Sequence, residues 1–190
     1  LDGSNPVGWK TAVWQRAADF AVDAVAHTGS RSVKISSRDG GDASWTNVVT
    51  QLAIEDGASL RHVKIQDEAP TSFHTARVEA AVAAGASFGS FALGKGGRLA
   101  RHEIEVALNG RGAGCTLYGI TLARARQHID NTTTIDHKAP GCASDELYRA
   151  VLDGEARAVF QGRIVVRKGA QKTNAHQLNE NLLLSERASV

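Results

Sequence analysis

The glycines of this chain recur at a fixed interval, and that interval constrains the fold more than any other feature. Five glycines are separated by about 28 residues or by a simple multiple of that interval: Gly29, Gly57, Gly85, Gly141 and Gly169. The one missing position is Ala113, which has a glycine on each side. Other turn residues lie about half an interval away: Gly41, Pro70, Gly97 and Gly154. A fixed period of this length indicates a repeat architecture.

The segments between these turns have the composition of β-strands. They are rich in β-branched, aromatic and alternating residues: Leu60–Ile65, Ser87–Leu93, Glu103–Leu108, Thr116–Leu122 and Val159–Val166. Two strands and two turns in each interval predict an all-β fold, a right-handed parallel β-helix with coils of about 28 residues. From Gly29 onward there is room for about six coils. An antiparallel sandwich also has short strands at regular spacing, but its hairpin loops vary in length.

The two ends of the chain differ from this repeat. We divide the sequence into an N-terminal segment, residues 1–28, and a β-helix core, residues 29–190. Apolar residues spaced by three and four predict a short capping helix over Trp9 to Ala26, and a first pair of strands is the alternative. No polar cap follows Leu182 to Leu184, and the chain opens on Leu1 without any methionine. We therefore expect a fragment whose core is truncated at its C-terminal end, where further chain or a second chain covers the strand edge.

Charge and composition exclude several classes of function. The 190 residues carry 22 basic and 20 acidic side chains, for a formal net charge of +2. The two signs are mixed along the chain, whereas nucleic-acid binding proteins carry a clustered basic face. No apolar run is long enough to span a membrane, and no secretory leader is present. Two cysteines are too few for a disulfide scaffold, which is typical of a reducing compartment.

The interval also predicts contacts, because residues one interval apart should lie above one another on adjacent coils. His74, His102 and Asp130 have this spacing. Two imidazoles and a carboxylate at strand spacing could share a metal ion or a proton. The alternative is a polar stack that forms hydrogen bonds or faces solvent.

The cysteines offer a second candidate site. Cys115 and Cys142 are one residue away from the interval, so they should be poorly oriented for a disulfide. Either thiolate could bind iron or accept sulfur if its pKa were lowered, and the alternative is a buried apolar thiol. His137 could form a dyad with Cys142. A further polar group, made of His128, Asp130, Asp136 and His137, has the residue types of acid–base catalysis, but we favour a structural ladder of hydrogen bonds.

The stretch from Gln127 to Ser185 resembles a known family. The matching pieces, in order, are HIDNTTTIDH, CASDELY, VLDG, AVFQGRIVV and AQKTNAHQLNENLLLS. Weaker matches lie upstream in CTLYGITL and SWTNVV. The sequence is similar to the SufB/SufD family of scaffold subunits in the SUF iron–sulfur cluster assembly system, and the NTTTIDH and ELYRAVLDG segments are closer to its SufD-type members than to its SufB-type members.

This resemblance implies a β-helix and a non-catalytic role. It implies a complex with a SufB-like paralogue and a SufC-like ABC ATPase, in a bacterial cytoplasm or a plastid stroma. The iron–sulfur cluster would be held transiently at the interface of the complex, and the isolated chain could pair with itself. The family's proposed cluster ligand lies in a Cys-Ser-His-Gly segment downstream of the NLLLS match, which these residues do not include. Two other hypotheses are a β-helix enzyme acting on polysaccharides and a solenoid without a role in cluster assembly.

Overall fold

Thirteen strands make up the secondary structure of the described residues. The structure is a computed structural model that describes residues 9–13, 20–26, 30–37 and 45–190, with side chains from Trp45 onward. The strands are β1 (Trp9–Val13), β2 (Phe20–Ala26), β3 (Ser30–Ser37), β4 (Trp45–Ile54), β5 (Ser59–Gln66), β6 (Phe73–Val82), β7 (Ser87–Gly94), β8 (Leu99–Leu108), β9 (Gly114–Ala123), β10 (His128–His137), β11 (Ala143–Leu152), β12 (Arg157–Val166) and β13 (Asn174–Leu183).

These strands form two sheets that the chain visits in turn. Sheet A has the order β1-β2-β4-β6-β8-β10-β12, and sheet B has the order β13-β11-β9-β7-β5-β3. Every neighbouring pair is parallel except β1 and β2. The result is a β-solenoid of about 5 turns. The predicted all-β solenoid is confirmed, and parallel pairing between coils excludes the antiparallel sandwich.

The N-terminal segment contains strands where we predicted a helix. β1 and β2 pair antiparallel, with Trp9 opposite Ala24 and Val13 opposite Phe20. The prediction of a helix over Trp9 to Ala26 is therefore wrong, and the alternative prediction of a first pair of strands is confirmed. The spacing of the apolar residues in this segment is helical, but its β-branched and aromatic residues favour strands equally. Pairing of β2 with β4 extends sheet A.

Left-handed turns mark the corners of the solenoid, as the glycine interval predicted. Gly57, Gly85, Gly112, Gly141 and Gly169 have φ values between 64° and 98°. A side chain is disfavoured at such angles, and glycine pays no steric cost there. The left-handed glycine expected at Ala113 is Gly112, one residue earlier, so the coil from Gly85 to Gly112 is one residue shorter than the interval. Gly29 and Gly41 lie outside the described residues.

A row of small buried side chains follows these glycines on the inside of the corner. Each member comes directly after a left-handed glycine and is at most 1% exposed: Ala58, Ala86, Ala113, Cys142 and Ala170. The row packs against larger apolar side chains of the core, such as Leu60, Phe88 and Leu117. Because the coils stack closely here, each position accepts only a small side chain.

The spacing between stacked residues departs from the glycine interval at several coils. Ser59 pairs with Ser87, which keeps the interval, but Phe73 pairs with Leu99, two positions short of it. Ala143 pairs with Asn174, three positions beyond it. The length of each turn therefore decides which side chains stack. In the described part of the chain no helix is long and apolar enough to cross a membrane.

Candidate functional site

The interior of the solenoid contains a cluster of ionisable side chains instead of a purely apolar core. Alternate residues of β5 point inward, so that His62, Lys64 and Gln66 are buried together. Glu68 is buried in the turn that follows, and His74 and His102 enter from β6 and β8 of the opposite sheet. We call these six side chains the inner polar cluster. Buried charges and imidazoles require partners, because transfer from water penalises them.

His74 and Glu68 form the closest contact of this cluster. His74 Nδ1 lies 2.6 Å from Glu68 Oε1, and the amide of Gln66 donates a second hydrogen bond to the same carboxylate. Burial lowers the pKa of His74, although the bond to Glu68 opposes that effect. His74 Nε2 has no hydrogen-bond partner among the described residues. A neutral imidazole held through Nδ1, with Nε2 free, can accept a proton or bind a metal ion.

Lys64 sets the electrostatics of the cluster. Burial lowers the pKa of its ammonium group to about 8, and the nearby Glu68 carboxylate opposes the change. Burial, together with Lys64, lowers the pKa of His62 to about 4, while His62 Nδ1 lies 3.0 Å from the Ser90 hydroxyl. The cluster therefore contains neutral histidines beside a lysine whose ammonium group loses its proton more readily than usual.

The predicted stack of His74, His102 and Asp130 is not formed. His74 pairs with Ala100, and His102 pairs with Asn131. The cause is the turn between β7 and β8, which is two residues shorter than the turn between β5 and β6. His102 is buried in the cluster, where burial and Lys64 lower its pKa. Asp130 points to the outside of sheet A, near Arg101. Among the described residues, no group of three or more His, Cys, Asp or Glu side chains is placed to hold a metal ion.

The two thiols lie in a second part of the interior. Cys115 and Cys142 are both free and buried. Burial raises the pKa of Cys115, and the nearby Glu146 carboxylate raises it further. A raised pKa disfavours the reactive thiolate. The Cys142 thiol donates to the carbonyl of Gly110 at 3.4 Å. His137 Nε2 lies 2.9 Å from the Ser144 hydroxyl, so both side chains of the predicted Cys–His dyad form hydrogen bonds with other groups.

Glu146 is a buried carboxyl that the sequence analysis missed. Its side chain is 0% exposed, and neither Oε1 nor Oε2 has a hydrogen-bond partner among the described residues. Burial raises its pKa, although the nearby Thr133 hydroxyl opposes this effect. A carboxyl in such surroundings favours its neutral form.

The four polar side chains of β10 are divided between the two faces of the strand. Asp136 points outward and accepts two hydrogen bonds from Arg167, each 2.9 Å long. These bonds lower the pKa of Asp136. Asp130 accepts a 3.2 Å hydrogen bond from Thr132 on the same face. Since His137 points inward and the two aspartates outward, the four side chains do not form one catalytic centre. The metal-ligand roles of His74, His102, Asp130, His137 and Cys142 stay predictions.

A groove of about 480 Å³ runs along the outside of sheet B. Small residues such as Ser59, Ser87 and Gly114 form its floor. Asp145 lies at its wall and contacts His176 Nδ1 at 3.0 Å. This surface is separate from the inner polar cluster, because the strands lie between them.

Comparison with known proteins agrees with this architecture. The family model described as "SUF system FeS cluster assembly, SufBD core domain" matches residues 21–190. The chain is 31% identical over 146 residues to the iron–sulfur cluster assembly protein SufD of Escherichia coli, covering 77% of this chain and 34% of that protein. It is 30% identical over 146 residues to an iron–sulfur cluster assembly SufBD family protein of Synechocystis, covering 77% of this chain and 32% of that protein.

A plant relative extends this group. The chain is 31% identical over 147 residues to the chloroplastic protein ABCI7 of Arabidopsis thaliana, covering 77% of this chain and 31% of that protein. The chain thus spans about a third of the length of these relatives. The family model covers nearly all of the solenoid. This chain belongs to the SufBD core-domain family of the SUF iron–sulfur cluster assembly system.

Proposed function

We propose that the chain is part of a non-catalytic scaffold subunit for iron–sulfur cluster assembly. In this proposal it acts in a complex with a SufB-like paralogue and a SufC-like ABC ATPase. The observation that carries the proposal is the family match over residues 21–190, since the matched segment is the solenoid itself. A relative of the same family is named as the cluster assembly protein SufD.

The placement of the reactive side chains supports a framework role for these residues. Cys142 takes a position that alanine occupies in the adjacent coils, and burial makes Cys115 a poor thiolate. The imidazoles of the inner polar cluster lie inside the solenoid, and each is at most 5% exposed. A substrate in solvent has no direct contact with these groups. The cluster would be cargo held transiently at the interface with a partner.

The proposal favours a SufD-type subunit over a SufB-type paralogue. The segments that favour it are NTTTIDH in β10 and ELYRAVLDG in β11 and the turn after it. We place the protein in the bacterial cytoplasm, or in the plastid stroma if the source is photosynthetic. Relatives named as bacterial SufD and as a chloroplastic protein support both locations.

Anaerobic co-expression with a SufB-like and a SufC-like protein tests the proposal. Only this protein carries an affinity tag, and the co-purifying subunits, iron and acid-labile sulfide are measured. We expect a stable complex that assembles a cluster, and we expect the other two proteins to lose that capacity when this subunit is omitted.

Two outcomes would overturn the assignment. One is purification of the tagged protein with neither the ATPase nor the paralogue, while the same two proteins bind a tagged SufD from Escherichia coli. The other is full cluster assembly by the partners without this subunit. The tagged SufD serves as the matched control for expression and folding of the partners.

A further inference from the structure

The two outer faces of the solenoid differ in chemistry. The outside of sheet A carries a network of ion pairs. Arg77 contacts Glu79, Glu103 and Glu105 at 2.7–3.0 Å. Arg101 adds a 2.7 Å contact to Glu103. Such a surface is satisfied in solvent and needs no partner.

The outside of sheet B carries a continuous group of apolar side chains. Register places them side by side on four adjacent strands, β7, β9, β11 and β13. Six are exposed, at 37–56%: Phe91, Tyr118, Ile120, Leu122, Leu178 and Leu182. Leu93, Leu147 and Val151 are half-buried between them. We call these nine side chains the apolar band. Apolar patches of a few hundred Å² on the surface of a protein are often functional.

The polar groups in and around the band already have partners on this chain. Arg149 and Glu180 form a 2.6 Å ion pair inside the middle row of the band, next to Ile120. At its borders, Lys95 contacts Asp67 at 3.1 Å, and the hydroxyl of Tyr118 donates to Asp145 at 2.6 Å. A molecule that covers the band therefore has no unpaired charge to neutralise, and its contacting side is apolar except opposite this ion pair.

Three of the four strands beneath the band cannot accept an added strand, and β13 is the edge strand of the sheet. β7, β9 and β11 each pair with a neighbour on both sides, so their backbone groups are already in ladders. A partner that covers these three strands must therefore pack on the face through side chains, rather than extend the sheet.

The size of the band selects the kind of partner. Four strands at about 4.8 Å spacing, with their side chains, cover about 20 Å, and three rows of alternate residues are about 13 Å across. The area is about 260 Å², whereas a stable dimer requires about 800 Å² from each partner. A single α-helix is about 10 Å wide, and about 13 of its residues cover about 20 Å. We propose that the apolar band is the docking site for one amphipathic helix of a partner protein.

In this arrangement the helix lies across the strands, with its apolar stripe on the band and its polar side toward solvent. The row that contains Tyr118 and Leu178 forms a ridge beside the outer groove. The groove, with its floor of small side chains, gives the edge of the helix room to pack close to the sheet. Ile120 lies in the middle row of the band, so its burial under the helix adds to the hydrophobic stabilisation.

A model peptide tests this site directly. The probe is a fluorescein-labelled amphipathic peptide of about 16 residues, made of Leu, Ala, Lys and Glu with its leucines at helical spacing. Its control is a scrambled peptide of the same composition. We expect the 190-residue chain to bind the ordered peptide at least tenfold more tightly in fluorescence anisotropy. Amide chemical shifts should change on β9 and β11 and stay constant on β6 and β8.

Two variants locate the contact. Ile120→Lys places a charge inside the band, and Leu99→Lys places the same charge on the outside of sheet A at the same exposure, 38%. We expect Ile120→Lys to weaken peptide binding at least tenfold and Leu99→Lys to leave it unchanged, with both variants folded by circular dichroism. Equal binding of the scrambled peptide, or unchanged binding by Ile120→Lys, would overturn the proposal. A dimer of the free chain that Ile120→Lys dissociates would also overturn it, because the occupant would then be a second copy.

Discussion

Cys142 occupies a position that alanine holds in each of the adjacent coils. Its neighbours in the row are Ala113 and Ala170, and all three follow a left-handed glycine and are almost fully buried. We therefore expect Cys142→Ala to change the free energy of unfolding by less than about 1 kcal/mol, because a small side chain replaces another. Cys142→Leu overfills the corner and should cost about 1–3 kcal/mol. Urea denaturation measures both.

The same pair of variants separates packing from chemistry at this thiol. If Cys142 were a sulfur acceptor or a metal ligand, Cys142→Ala would abolish cluster assembly by the complex while the unfolding curve stayed unchanged. That result would contradict the structural role, which predicts normal assembly with Cys142→Ala.

Gly119 lies where the ring of Tyr148 crosses the interior. A Cβ at this position would be 2.3 Å from two carbon atoms of that ring. Tyr148 is stacked on Phe160 with 4.7 Å between ring centroids, so the ring has little freedom to move away. We expect Gly119→Ala to destabilise the protein by about 1–3 kcal/mol through overpacking, as measured by thermal and urea denaturation.

Gly114 provides the matched control on the same strand. A Cβ there meets only the carbonyl oxygen of Ala143, at 3.7 Å, which is ordinary contact. Gly114→Ala should therefore leave stability within about 0.5 kcal/mol of the parent protein. If both variants were equally destabilised, the cause would be the backbone of β9 rather than the Tyr148 ring.

At the scale of the element, β5 is the strand whose sequence predicts its position well and its orientation poorly. Alternation in His62-Val63-Lys64-Ile65 favours valine and isoleucine as the buried residues. The structure buries His62 and Lys64 instead. The reason is Leu60, which is 1% exposed and pairs with Phe88 in the core. Since alternate residues share a face, the orientation of Leu60 takes His62 and Lys64 inside with it.

The inner polar cluster makes stability depend on pH. Burial and Lys64 lower the pKa of His62 from 6.5 to about 4, and His74 and His102 shift in the same direction. At a pH between about 4 and 6.5, these histidines bind more protons in the unfolded chain than in the folded one. The free energy of unfolding should therefore fall as pH decreases from about 6.5 toward 4. At about 1.4 kcal/mol for each pKa unit, His62 alone contributes up to about 3 kcal/mol.

His62→Asn tests this dependence, because asparagine cannot titrate and can still bond to Ser90. Urea denaturation at pH 7.5 and 4.5 gives the loss of stability for each protein. We expect a smaller loss in the variant, while the contribution of surface carboxylates such as Asp136 is common to both. An identical loss in the two proteins would show that His62 is solvated and not buried as a neutral ring. Lys64, whose pKa burial lowers to about 8, is present in both proteins, so its contribution is common to both.

For the whole molecule, the glycine interval was sufficient to predict the solenoid, since glycine is favoured wherever a left-handed corner recurs. Ala125 and Lys172 are the two exceptions among the described residues. It was not sufficient to predict the stacking of side chains. His74 and His102 are one interval apart but do not pair, because the turn between β7 and β8 is short. Short turns and long turns have similar composition. Their length is therefore evident only from the pairing register of the strands that they connect. The inner polar cluster depends on that register, and for this reason the sequence identified His74 and His102 but not their partners.

Stability should also vary along the solenoid, because each coil contacts only its neighbours. β9 pairs with both β7 and β11, whereas β13 pairs only with β11 and all ten of its side chains are exposed. We expect the amides of Asn174–Leu183 to exchange with deuterium at least tenfold faster than those of Gly114–Ala123, because local opening of β13 breaks one ladder and uncovers no core. Exchange mass spectrometry at low protein concentration measures both strands. Equal protection would mean that another chain covers β13, and protection that rises with protein concentration would identify that chain as a second copy.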